Sequence, residues 1–372
     1  MRRRLWTALA LVVCAAPVHA QSADSGAFVT RLGNDTLAIE RFVRTADSAW
    51  GEVVTRAPQT SRVRYVARLD RAGTVTTYVL TGAFGTETAV FQHDTVHLTA
   101  PGPDSARHVT QSMGPGGRYL VPLAEPAYGL HELAVVKAQS QPGKRVPFTW
   151  YYVGDFPDTG SVLARGDSAF ITTSSDTIRM LVDAQGRIQS STDPGGTLQA
   201  SVTRITGWPN LDAFQAATPL GNLSPRATVR ASIGGGTMWI DYGRPSKRGR
   251  QIFGNVIPFN SVWRTGANAA TGFVVDHDVV LGSTTIPAGK YTLFSYITDK
   301  GWDLIVSKRT GEWGTEYDRK ADLVRIPMHL NRTSSPAVEQ FTITIPSDHI
   351  EMVWDTWKAT LPVRAASGTT GM

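Results

Sequence analysis

A single cysteine, Cys14, occurs among the 372 residues, and it lies in an N-terminal stretch that reads as an address rather than as structure. Arg2, Arg3 and Arg4 are followed by the apolar run Leu5 to Ala16 and by Val18-His19-Ala20, a pattern that predicts a signal peptide cleaved after Ala20. Leu11-Val12-Val13-Cys14 partly resembles a bacterial lipobox, but Val13 stands where such boxes carry Gly, Ala or Ser, so cleavage is favoured over lipid anchoring at Cys14. The mature chain then has no thiol, which excludes disulfides, thiol catalysis and Cys-based zinc sites. A secreted or periplasmic protein without disulfides must be held by ordinary hydrophobic cores. No later segment approaches 18 uninterrupted apolar residues, so no transmembrane segment is expected in the mature chain. Glycine periodicity, sustained heptads and polar low-complexity tracts are absent too, which excludes collagen-like, coiled-coil and disordered chains.

Catalytic signatures are equally scarce. There is no Gly-x-Ser-x-Gly elbow and no phosphate-binding Gly-Lys-Ser loop. His131-Glu132 begins a zinc-protease pattern, but Val135 occupies the place of its second histidine. His93 and His97 would lie roughly 13 Å apart on an extended strand, too far to share one ion. Asp276-His277-Asp278 reads as a polar turn, because adjacent residues on a strand face opposite ways. Paired carboxylates for glycoside hydrolysis are a spatial arrangement; Glu312, Glu316 and Asp318, beside Trp313 and Tyr317, are the best candidates. No metal and no cofactor are expected.

What is present is β grammar. Val63, Tyr65, Ala67 and Leu69 alternate with arginines, Asp70-Arg71-Ala72-Gly73 supplies a turn, and Thr74 to Leu80 continues as a second strand. The pattern recurs at Thr177 to Ser191, with a third strand over Thr197 to Ile205 after the Pro194-Gly195-Gly196 loop. A short helix is an option between Asn34 and Thr55, against the preference of the β-branched residues there. Residues 21–216 are therefore expected to form a curved, half-barrel-like antiparallel sheet, faintly similar to the lipid-carrying half-barrels of bacterial envelopes. Residues 217–222 are expected to be a linker.

The second half repeats the grammar. Hairpins are predicted over Val229 to Tyr242 and Tyr291 to Lys308, with strands at Phe341 to Ile345 and within Glu351 to Val363. The whole is an all-β chain of two antiparallel domains, the second a β-sandwich over residues 223–364 ahead of a disordered tail at 365–372. In it, Asp241-Tyr242-Gly243-Arg244-Pro245-Ser246-Lys247-Arg248-Gly249-Arg250-Gln251-Ile252-Phe253-Gly254 precedes Val262-Trp263-Arg264-Thr265-Gly266-Ala267-Asn268, then Ile286-Pro287-Ala288-Gly289-Lys290-Tyr291-Thr292-Leu293-Phe294. In order and spacing these blocks resemble the bacterial family called domain of unknown function 2911, over about 223–363. That resemblance implies an exported β-rich domain and brings no activity with it.

The formal charge of +6 falls to +3 without the three leader arginines, and the remaining excess sits mostly around residues 244–250. Arg244, Lys247, Arg248 and Arg250 suit either an anion cradle or a set of loop braces, the latter being the commoner use of such arginines. The cluster is too short for an extended basic face, so nucleic acid is not an expected partner. Trp263, Arg264 and Asn268 suit either a polar pocket or a locked loop. Trp302 and Trp354 are expected in the core and Trp313 exposed. The leading expectation is a non-catalytic module binding an anionic or hydroxyl-rich small molecule, glycan or envelope component through Tyr242, Arg244, Arg250, Trp263, Arg264 and Asn268. An envelope hydrolase acting on sugar or ester substrates and a lipid carrier working through the first half are the alternatives.

Overall fold

The computed structural model describes residues 23–102, 105–113, 120–123, 126–152, 157–174, 177–192, 198–332 and 336–366. The predicted leader with Cys14, the Pro194-Gly195-Gly196 loop and most of the predicted tail lie outside them.

Period-2 patterning builds the first unit. Its opening strands are β1 (Asp24–Leu32), β2 (Asp35–Arg44), β3 (Ser48–Thr55) and β4 (Ser61–Leu69). Tyr65 and Ala67 of β4 are buried while Arg64, Val66 and Arg68 between and beside them face solvent. The turn that follows is held by Asp70, whose carboxylate accepts the N–H groups of Ala72 at 2.9 Å and Thr74 at 2.8 Å, with Gly73 at a φ of +78°. The predicted hairpins at 62–80 and 177–191 are both present, as Ser61–Leu69 with Val75–Gly82 and Thr177–Val182 with Ile188–Thr192. The short helix considered between Asn34 and Thr55 is instead the β2–β3 hairpin, as the β-branched content of that segment favours.

Among the described residues fifteen strands form one sheet with β1 near its middle. On one side the strands follow in chain order to Arg107–Ser112. On the other, Ser201–Ile205 pairs antiparallel with β1, Ala27 opposite Ile205, and the order runs backwards to Leu120–Leu123. Among the described residues the two end strands do not pair, so the sheet is open. Leu120–Leu123 runs parallel to Arg145–Tyr152, and the crossover between them is the helix α1 (Tyr128–Gln139). This helix carries the core: Leu130, Ala134, Val135 and Ala138 are fully buried against a set that includes Phe28, Phe42, Tyr65 and Trp150.

The second unit is a sandwich of a seven-stranded and a six-stranded sheet. Trp263, Trp302, Trp354 and Phe341 pack between them, with Trp302 and Trp354 at 1% exposure as expected, whereas Trp313 is 52% exposed. Where one strand was expected within Glu351 to Val363 there are two, His349–Asp355 and Trp357–Ala365, reversed at Asp355 with a φ of +55°. Residues 217–222 are fastened to the first unit: Leu220 N–H donates to Arg56 O at 2.7 Å, and Arg56 Nε donates to Thr218 O at 3.1 Å. Among the described residues no helix is long and apolar enough to cross a membrane.

Candidate functional site

The basic run of the second unit is where the two units meet. Arg248 forms an ion pair with Asp35 of β2, and its backbone carbonyl accepts the Asn34 N–H at 2.8 Å. Gly33, at a φ of +59°, admits this approach: a Cβ there would sit 1.9 Å from Arg248 O. Arg250 donates to Leu198 O of the first unit at 2.8 Å and, within its own loop, to Ser246 O at 2.7 Å and Lys247 O at 3.1 Å. Gln199 completes the seam, its side-chain amide donating to Asn255 O at 3.0 Å. Lys247 pairs with Asp355 inside the sandwich.

The six residues singled out from the sequence divide. Tyr242 is buried, accepting Ile343 N–H at 2.8 Å on a hydroxyl that lies 3.3 Å from Ile343 O. Arg244 donates to Phe341 O at 3.3 Å and Thr342 Oγ1 at 3.0 Å, bridging the two sheets. Arg250, Trp263, Arg264 and Asn268 come together around one cleft of about 80 Å³ at the junction, completed by Leu32, Leu198 and Trp354. Trp263 lines it while almost wholly buried. The indole is 3% exposed, stacks on Trp354 with ring centres 5.8 Å apart and donates to Gly266 O at 3.1 Å.

The loop that carries Arg264 and Asn268 is built by two left-handed residues, Thr265 at a φ of +50° and Asn268 at +62°. Thr265 is fully buried, with its hydroxyl 2.7 Å from Ser295 Oγ, while Thr271 Oγ1 donates to Thr265 O at 2.8 Å. Asn268 O accepts Gly314 N–H at 3.2 Å and Arg264 Nη1 at 3.4 Å. Burial lowers the pKa of both Arg250, with Arg248 adding to the effect, and Arg264, though guanidinium groups of this kind stay charged.

Two larger clefts adjoin this one. The first, about 460 Å³, shares Leu198, Trp263, Arg264 and Asn268 with it and adds the exposed Trp313 with Phe294 and Tyr317. The second, about 290 Å³, lies in the first unit and shares Leu198 and Leu223. Its walls are mainly apolar, with Leu37, Ala38, Tyr128 and Ile178, interrupted by the hydroxyls of Thr30, Thr55 and Ser191. Sequence reasoning missed Leu198 and Leu223, because nothing in a chain pattern marks an isolated leucine as a shared wall.

A second polar centre lies beneath α1. Glu40 is 1% exposed, accepts the Tyr65 hydroxyl at 2.5 Å and takes the Gly129 N–H at 3.1 Å. It thereby caps a helix whose preceding residue, Ala127, provides no side-chain bond. Burial pushes its pKa up to about 8, against the pull of these bonds. Glu132, also buried, accepts Ile188 N–H at 2.7 Å and pairs with Arg204 and, at 3.3 Å, with Arg44. Burial raises its pKa while the two arginines oppose the rise. Both carboxylates fasten the helix to the sheet.

The remaining acidic candidates are otherwise engaged or enclosed. Glu316 pairs with Arg309 at 3.3 Å, Asp318 accepts Lys320 N–H at 2.9 Å to start a 3-10 turn, and Glu312 is 7% exposed. Asp276 contacts His277 at 2.7 Å and Asp278 accepts Ala288 N–H at 2.9 Å, so that triplet is a turn. Among the described residues no three His, Cys, Asp or Glu side chains form a group that could hold a metal ion.

Residues 224–363 match the family model described as Protein of unknown function (DUF2911), in agreement with the motif blocks. No curated protein matches the chain. Among solved structures, a DUF1089 family protein from Pseudomonas aeruginosa is similar at 13% identity and a TM-score of 0.32, over 52% of this chain and 97% of that one. MucB in complex with MucA(peri) is similar at 8% identity and a TM-score of 0.12, over 92% of this chain and 87% of that one. Scores this low carry no argument about function.

Proposed function

We propose that this chain is an exported, non-catalytic binding protein whose ligand is anionic or hydroxyl-rich and sits at the junction of its two units. The observation that supports this is the convergence of Arg250, Trp263, Arg264 and Asn268 on one cleft that shares Leu198, Trp263, Arg264 and Asn268 with the Trp313 cleft. Two guanidinium groups, an amide and an exposed indole supply the charge-assisted bonds and the flat apolar face that acids and sugars use. Titration calorimetry of the mature chain with inorganic phosphate, glucuronate and maltose tests it. Saturable binding of at least one, weakened about tenfold by Arg264→Gln with an unchanged unfolding midpoint, is expected. Binding indifferent to both Arg264→Gln and Asn268→Ala overturns the reading.

The lipid-carrier reading also has an observation in its favour, the apolar cleft of about 290 Å³ in the first unit. In that reading α1 forms one wall, through Tyr128.

A further inference from the structure

We propose that the apolar cleft of the first unit and the arginine cleft at the junction are two ends of one site, which takes a single-chain anionic amphiphile. The proposal deepens the reading of the junction as a ligand site and rests on it. Three observations lead there.

The clefts adjoin. Leu198 and Leu223 line both, and Leu198 also lines the Trp313 cleft. Leu198 is 49% exposed, yet its carbonyl is pinned by Arg250 at 2.8 Å, so an apolar side chain is held in the open where the clefts join.

The polarity is graded along the path. Arg250 and Arg264 are the charged side chains among the described residues lining these three clefts, and no carboxylate among those residues lines any of them. An anionic head group is therefore drawn to one end, where partial burial strengthens its attraction to the guanidinium groups. At the other end Leu37, Ala38 and Ile178 offer a tail the apolar surface it loses least by entering.

The dimensions limit the tail. A cavity of about 150 Å³ holds a benzene ring, so the 290 Å³ cleft holds about ten to twelve carbon atoms.

Titration of the mature chain with decyl phosphate below its micelle concentration, beside decanol and inorganic phosphate, tests the proposal. Decyl phosphate is expected to bind at least about tenfold tighter than either fragment, and to lose about tenfold on both Arg264→Gln and Ala200→Trp, the latter filling the apolar end. If Ala200→Trp lowers the unfolding midpoint, Leu198→Asp on the exposed side chain asks the same question, with the same loss expected. Inorganic phosphate binding as tightly as decyl phosphate, with Arg264→Gln weakening both and neither apolar-end variant mattering, leaves the junction site standing and overturns the amphiphile. Decanol binding as tightly as decyl phosphate, indifferent to Arg264→Gln, overturns the arginine site and the amphiphile together. No binding of decyl phosphate overturns the amphiphile whatever the other probes show.

Discussion

The carboxylate of Glu40 lies 2.5 Å from the hydroxyl of Tyr65, in the hollow of the sheet, and the same oxygen receives the Gly129 N–H at the head of the helix. Burial of this carboxyl, against the pull of both bonds, makes the first unit pH-sensitive. The folded pKa of Glu40 is about 8 against an ordinary 4.5, so between those values the folded protein holds a proton that the unfolded chain has released. Its contribution to stability is complete below about pH 4.5 and is lost as the pH rises towards 8. The loss amounts to a few kcal/mol, because each tenfold difference in proton affinity between the folded and unfolded chain is worth about 1.4 kcal/mol. Glu40→Gln should remove that slope. Urea denaturation of both proteins at pH 5, 7 and 9 checks it: the difference in stability should move in favour of the variant as the pH rises.

Gly129 has no room for a side chain. An added Cβ would lie 2.6 Å from Phe42 Cγ and 2.7 Å from the Tyr65 oxygen. Gly129→Ala is expected to cost about 1–3 kcal/mol, although alanine is the better helix former. Thermal unfolding followed by circular dichroism measures this, and a stabilised variant would contradict the docking described.

The Arg248 to Asp35 ion pair joins the units at a partly buried point, with side-chain exposures of 12% and 35%. Removing it by Arg248→Ala is expected to cost about 1–3 kcal/mol, screening by solvent keeping it towards the low end. Scanning calorimetry should show the melting of the two units separating, which a mere surface pair would not produce.

Trp263 and Trp313 offer opposite tests of one region. Trp263→Ala opens a hole in the sandwich core and should cost about 3–5 kcal/mol, whereas Trp313→Ala, on an indole half in solvent, should stay within about 0.5 kcal/mol. A saccharide that quenches wild-type fluorescence should lose that quenching in Trp313→Ala.

Local signals made the strands and turns legible. Asp70 and Gly73, Asp183 and Gly186, and the arginine alternation in β4 each act within a few residues, and there the sequence and the structure agree. The helix at 128–139 was not visible: its buried positions include Gly129, His131 and Glu132, so no amphipathic stripe marks it, and its cap comes from Glu40, 89 residues earlier. The turn at Asp355 was also hidden, because a single left-handed residue reverses the chain without Gly or Pro. As to the site, Arg250, Trp263, Arg264 and Asn268 could be named from composition, but the cleft they line needs Leu32 and Leu198 from the other unit. Residues so distant in the chain are brought together only by the fold.

The pairing of β1 with Ser201–Ile205 makes the sheet's centre its last seam to close. Ala27 meets Ile205 only after nearly the whole first unit has emerged, so a chain exported from its N-terminus, as proposed above, must wait with an open edge on β1. That edge is a template for stray strands, and a holdase or fast delivery would protect it. The same seam sets the first and last strands of the first unit side by side, with the start of β1 beside the end of Ser201–Ile205, while residues 217–222 carry the chain back to Arg56, so the second unit departs near the other end of β1. The first unit should accordingly tolerate circular permutation, with new termini opened at an exposed turn such as Asp70 to Gly73.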